Sequence, residues 1–177
     1  LSWPKNAIHA TISWFSSNNP KGLSLLSHRY SNGCVYSART VTVYRAIGHW
    51  DDLSQAHTLL GCAARGLGDL RLAREYLVEA LLLATRSRSP LPLLWALPVA
   101  ALLLADEGES ERAVELYGLA SRHPLVAKSR WFEDVVGREI SDIAATLPLD
   151  ALVVIEERAR TQDLEATVAN LLVELGD

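Results

Sequence analysis

Two runs of helical period, split by one glycine–aspartate pair, constrain this chain more than any other stretch. Residues 53–87 read LSQAHTLLGCAARGLGDLRLAREYLVEALLLATRS. In the first run Leu53, Ala56, Leu60, Ala63, Ala64 and Leu67 recur at helical spacing; in the second Leu70, Ala73, Leu77, Ala80, Leu81 and Ala84 do the same. Gly68 can take the left-handed conformation that stops a helix. Asp69 can then cap the next helix and favour its positive end. A helical hairpin with a very short turn is the expected outcome.

The sizes of the residues add a second constraint. Gly61, Ala73 and Ala80 are small where two helices would cross, and Leu60 and Leu77 are large beside them, so the backbones can approach closely. This pattern of sizes and spacings resembles the tetratricopeptide repeat. The resemblance implies a binding scaffold and names no ligand. Sliding the chain by forty residues lays Gly68 on Gly108, Ala73 on Ala113, Leu77 on Tyr117 and Ala80 on Ala120. A second repeat over roughly residues 90–123 is therefore expected. The same slide lays residues 40–44 over 80–84, so residues 36–47 read as the second helix of a weakened earlier repeat. Its β-branched residues make it depend on packing.

Composition changes sharply at Asp51, the first acidic residue of the chain. Before it stand Lys5, Lys21, Arg29, Arg39 and Arg45 without one carboxylate, and SSNNPKG at 16–22 is a turn signal. Residues 1–35 are expected to be poorly ordered or degenerate, with a basic arm touching nucleic acid as the rival reading. Residues 36–125 are expected to hold the repeats, and 126–177 a helical C-terminal cap. The net charge of −4 argues against a nucleic-acid surface. No apolar run spans a bilayer and no signal peptide opens the chain. Cys34 and Cys62 fit no metal or redox spacing, so reduced thiols in the cytoplasm are expected. The absence of Met, position 1 included, suggests a piece of a longer protein.

Downstream, Ser89 and Pro90 should open the first helix of the second repeat. Pro98 removes a hydrogen bond to the Leu94 carbonyl and should kink it. Ser129 should cap a long helix carrying Trp131, Val135, Val136, Ile140, Ile143, Ala144 and Leu147 on one face. Leu147-Pro148 closes it, and helices over 149–160 and 163–175 follow. The stretch EGESERAVELYGLASRHP at 107–124 looks like the last repeat of large bacterial LuxR- and AfsR-type regulators, in which a STAND-class NTPase precedes a tetratricopeptide sensor array. Residues 147–175 are similar to the helical segment that closes such arrays. The resemblance implies a C-terminal sensor or partner-binding region; neither the NTPase nor a DNA-binding domain lies in this chain.

Catalytic signatures are missing. There is no P-loop, dinucleotide turn, HExxH or GxSxG, and GLGD at 66–69 is explained as a helix stop. His49, Asp51, Asp52 and His57 fit no common metal site, and no cofactor is expected. Cys62 and His57, five residues apart on one helix, share no face for nucleophilic chemistry. Glu156, Glu157, Arg158 and Arg160 read as a solvated helix face, and Ala159 as lying near it.

Binding remains. By the repeat register, Gln55, Thr58, Cys62 and Arg65, with Trp95, Leu102 and Asp106, should line a concave groove, unless some pack against a neighbouring repeat. One guanidinium and one indole suit a peptide with a carboxylate and an apolar side chain. Exposed groove residues should carry little of the fold. The sequence therefore points to an all-α, right-handed helical array that binds a protein or peptide without catalysis. A self-association scaffold and a hidden hydrolase are the rivals.

Overall fold

The computed structural model describes residues 44–87 and 89–176, and these form helices joined by short turns, with no strand among them. The expectations for residues 1–35, for Cys34 and for 36–43 lie outside the described residues; 44–47 are helical. The main elements are α1 (Trp50–Gly66), α2 (Leu70–Ala84), α3 (Leu91–Asp106) and α4 (Ser110–Ser121). After them come α5 (Pro124–Ala127), α6 (Arg130–Phe132), a π turn (Glu133–Gly137), α7 (Arg138–Ala144), α8 (Leu149–Thr161) and α9 (Leu164–Gly176). No helix among the described residues is long and apolar enough to cross a membrane.

Helices α1 and α2 form the hairpin expected around Gly68. Gly68 has φ +79°, and two backbone bonds close the turn: Gly68 N to Arg65 O at 2.8 Å and Asp69 N to Ala64 O at 3.0 Å. The Asp69 carboxylate then accepts from Leu72 N at 3.0 Å. Forty residues later the stop is repeated. Gly108 has φ +91°, with Gly108 N to Ala105 O at 3.1 Å and Glu109 N to Leu104 O at 2.9 Å. Both turns are the paired-bond glycine stop that satisfies the last carbonyls of a helix.

Packing inside the first hairpin follows residue size. A Cβ on Gly61 would lie 3.0 Å from Leu77 Cγ and 3.3 Å from the Ala73 carbonyl oxygen, so only glycine lets α2 come this close. Ala73, Leu77 and Ala80 are fully buried there. The Ser54 hydroxyl donates to the Ala80 carbonyl at 2.8 Å, which satisfies a buried polar group at the crossing.

Helix α3 packs against both α1 and α2, and α4 packs back on α3. Almost every side chain of α3 is buried, as expected of a helix that is apolar all round. The Ser89 hydroxyl accepts from Leu91 N at 3.2 Å near its start. The helix runs through Pro98 without a break; the proline ring is buried and Leu94 simply lacks its usual partner.

The C-terminal block does more than close the last hairpin. Helices α5 and α7 lie against α4, and α7 also meets α3. Helix α8 then packs on α4 and α9 returns to α2. In the long helix expected after Ser129, the π turn interrupts the regular period. Its fully or nearly buried large side chains are Phe132, Val136 and Ile140, whereas Trp131, Val135 and Ile143 are only partly buried. Ala159, expected near solvent, is buried: it meets Gly118 where α8 crosses α4, and a Cβ on Gly118 would lie 3.1 Å away. Its neighbours Glu156, Glu157, Arg158 and Arg160 are exposed.

Candidate ligand-binding surface

The last turn of α1 places Arg65 between two carboxylates. Its Nε donates to Asp106 Oδ2 at 2.5 Å and its Nη2 to Asp106 Oδ1 at 2.9 Å, a two-pronged pair across the ends of α1 and α3. The same guanidinium donates to Glu139 of α7, through Nη2 to Oε1 and through Nη1 to Oε2 at 3.4 Å. Burial alone would lower the pKa of Arg65. The hydrogen bonds it donates to Asp106 and Glu139 outweigh it and hold the group above its ordinary value. With a side chain only 17% exposed, this cation joins three helices rather than waiting in solvent.

Trp95 of α3 lies in an aromatic cluster. Its ring centroid is 5.5 Å from Trp131 and 5.1 Å from Phe132, and those two rings meet edge-on at 4.8 Å. Tilted and edge-on contacts at these distances are the favourable ones for aromatic rings. The C-terminal segment thus covers both residues that the sequence marked as ligand anchors.

The remaining groove candidates fall in different places. Thr58 and Leu102 are fully buried, so neither lines a surface. The Thr58 hydroxyl bonds to the Ser54 carbonyl of its own helix at 3.0 Å, and Leu102 belongs to the central core. Gln55 is partly exposed, and Cys62 is half-buried and packed against the core. Arg65 and Asp106 are brought into direct contact. The sequence reading missed Glu139 and Phe132. Glu139 carries no signal of its own, because it is one acid among many on a helix face.

Titratable groups elsewhere on the hairpin have structural roles. His57 is nearly buried against the edge of Tyr76, with ring centroids 5.8 Å apart. Neither of its ring nitrogens has a hydrogen-bond partner among the described residues. Desolvation lowers its pKa, opposed by Glu79 and assisted by Arg45. His49 bonds instead to Asp52 at 3.2 Å. Among the described residues no group of three His, Cys, Asp or Glu side chains could hold a metal ion.

A second polar cluster fastens α8 and α9 to the hairpins. Glu115, nearly buried, accepts from Arg112 at 2.7 Å and from Gln162, with Arg158 at 3.8 Å. Arg74 donates to Glu107 at 2.7 Å and reaches the last carbonyls of α9 at 3.4 Å, where a cation is favoured.

No protein-family model, curated protein or solved structure matches this chain significantly.

Proposed function

We propose that this chain is a non-catalytic, tetratricopeptide-like binding module that works in the cytoplasm as the sensor region of a signal-transducing ATPase regulator. One observation carries the reading. The stops at 64–69 and 104–109 use the same pair of backbone bonds forty residues apart, and each closes a hairpin. Repetition at this period is what a helical array requires. In such arrays the first helix of each hairpin presents the binding residues, which here are Arg65 and Trp95. The partner is a protein or peptide that offers a carboxylate to Arg65 and an apolar side chain to Trp95.

The test is capture of a partner from the native host with the full chain, then titration of the purified partner. Arg65→Lys keeps the charge but loses the planar fork, and Trp95→Phe keeps a ring. Each should weaken binding by about 1 kcal/mol or more, as anchor residues do. Unchanged affinity in both variants would remove the reading.

A self-association scaffold is the second reading, favoured by an apolar strip on α8. Leu149 is 78% exposed and Val153 61%, one helical turn apart. Light scattering across a concentration series decides it: a dimer that disappears in Val153→Glu supports this reading.

A further inference from the structure

The segment that covers Arg65 and Trp95 presents the same two groups that a partner was expected to supply. Trp131 and Glu139 are eight residues apart, which on a regular helix sets them about 80° apart. The π turn between them takes up an extra residue and closes most of that angle. Gly137 ends the turn, and a Cβ there would lie 2.7 Å from both the Tyr117 hydroxyl and the Glu133 carboxylate, so a larger residue would push those two side-chain ends aside. Trp131 therefore meets Trp95 at 5.5 Å while Glu139 meets Arg65.

We infer that residues 130–144 are an internal ligand. The surface accepts a partner helix that presents an aromatic side chain and, two turns beyond it, a carboxylate; the partner displaces this segment. The inference rests on the binding-module reading and adds its regulation and the chemistry of its partner.

The segment does not leave unaided, because release exposes Phe132, Val136 and Ile140. An incoming helix with equivalent apolar residues restores that burial. A short tether gives the internal copy an effective concentration on the order of millimolar, so a free competitor binds the intact chain weakly. Glu139 is the point to loosen: its side chain is 44% exposed, and Arg65 keeps Asp106 without it.

The test titrates a fluorescent synthetic peptide copying residues 128–146 into the full chain. Glu139→Gln should bind it about tenfold more tightly than wild type, since one competing carboxylate is gone. The same peptide with glutamine in place of the glutamate that matches Glu139 should show no such gain. Amide exchange of residues 130–144 in the chain should accelerate as peptide is added. Equal affinity of wild type and Glu139→Gln, or binding without faster exchange, would overturn the inference. A captured partner that needs Arg65 and Trp95 yet binds Glu139→Gln no better than wild type would reject the internal ligand and keep the binding module. Peptide-independent dimers exchanging this segment would assign it to a second copy and overturn the partner assignment.

Discussion

The two hairpins and the C-terminal block are both helical, but different forces set their geometry. In the hairpins, backbone bonds at Gly68 and Gly108 fix each turn, and small residues fix how close the helices come. In the block, long side chains do the positioning: Arg65 holds α7, the Arg112–Glu115 cluster holds α8, and Arg74 holds the end of α9. Local rules dictate the first region, whereas the second depends on partners far away in sequence. The surface that carries Arg65 and Trp95 lies where the two meet.

The largest expected effect falls in the block. Among the described residues Phe132 is the largest of the fully buried side chains, and it bridges Trp95 to the core. Phe132→Ala should cost about 3–5 kcal/mol in denaturant melts. A loss below 1 kcal/mol would mean that the block is only loosely seated.

The next experiment compares the two regions directly. Ala80 and Ala159 are both buried at helix crossings, one in each region. Leucine at either position should cost roughly 1–3 kcal/mol through overpacking. If Ala159→Leu were silent, α8 would not press on Gly118 as described.

Smaller and more diagnostic are the glycine stops. A Cβ on Gly68 or Gly108 meets nothing within 4 Å, so the cost of alanine is conformational alone. Each substitution should destabilise by about 1–2 kcal/mol, the cost of a left-handed backbone for an L-residue. Matching values would sharpen the equivalence of the two hairpins, and a large difference would break it.

His57 supplies the pH dependence. Its folded pKa is lowered from 6.5, so the unfolded chain binds this proton more readily. The contribution to stability is complete above about pH 6.5 and is lost as pH falls through the window below it. Melting temperature should fall over that range, and His57→Gln should flatten that part of the profile.

How much of this was legible in the sequence follows the same division. The first hairpin was legible in detail, because Gly68, Asp69 and the small residues act on near neighbours. Leu102 was assigned to the groove by the repeat register alone; α3 is apolar all round, and such a helix gives periodicity no phase to correct that register. Ala159 was misjudged because its charged neighbours are indeed exposed, and only the returning path of α8 buries that one position. The pairing of Arg65 with Glu139 was invisible, since the π turn resets the phase of every residue beyond it. Arg65 was therefore expected to matter little for the fold, whereas the structure makes it a tie between three helices.

That tie is the central claim, and a double-mutant cycle between Arg65 and Glu139 tests it most directly. Arg65→Ala, Glu139→Gln and the double variant would be compared by denaturant unfolding of the full chain. The structure predicts a coupling of roughly 1–2 kcal/mol, within the range for residues sharing one ion-pair network. Hydrogen exchange on Arg65→Ala should show protection falling in residues 138–144 while α2 holds. Additive effects, with coupling within about 0.3 kcal/mol of zero, would contradict the claim that this contact joins the block to the hairpins.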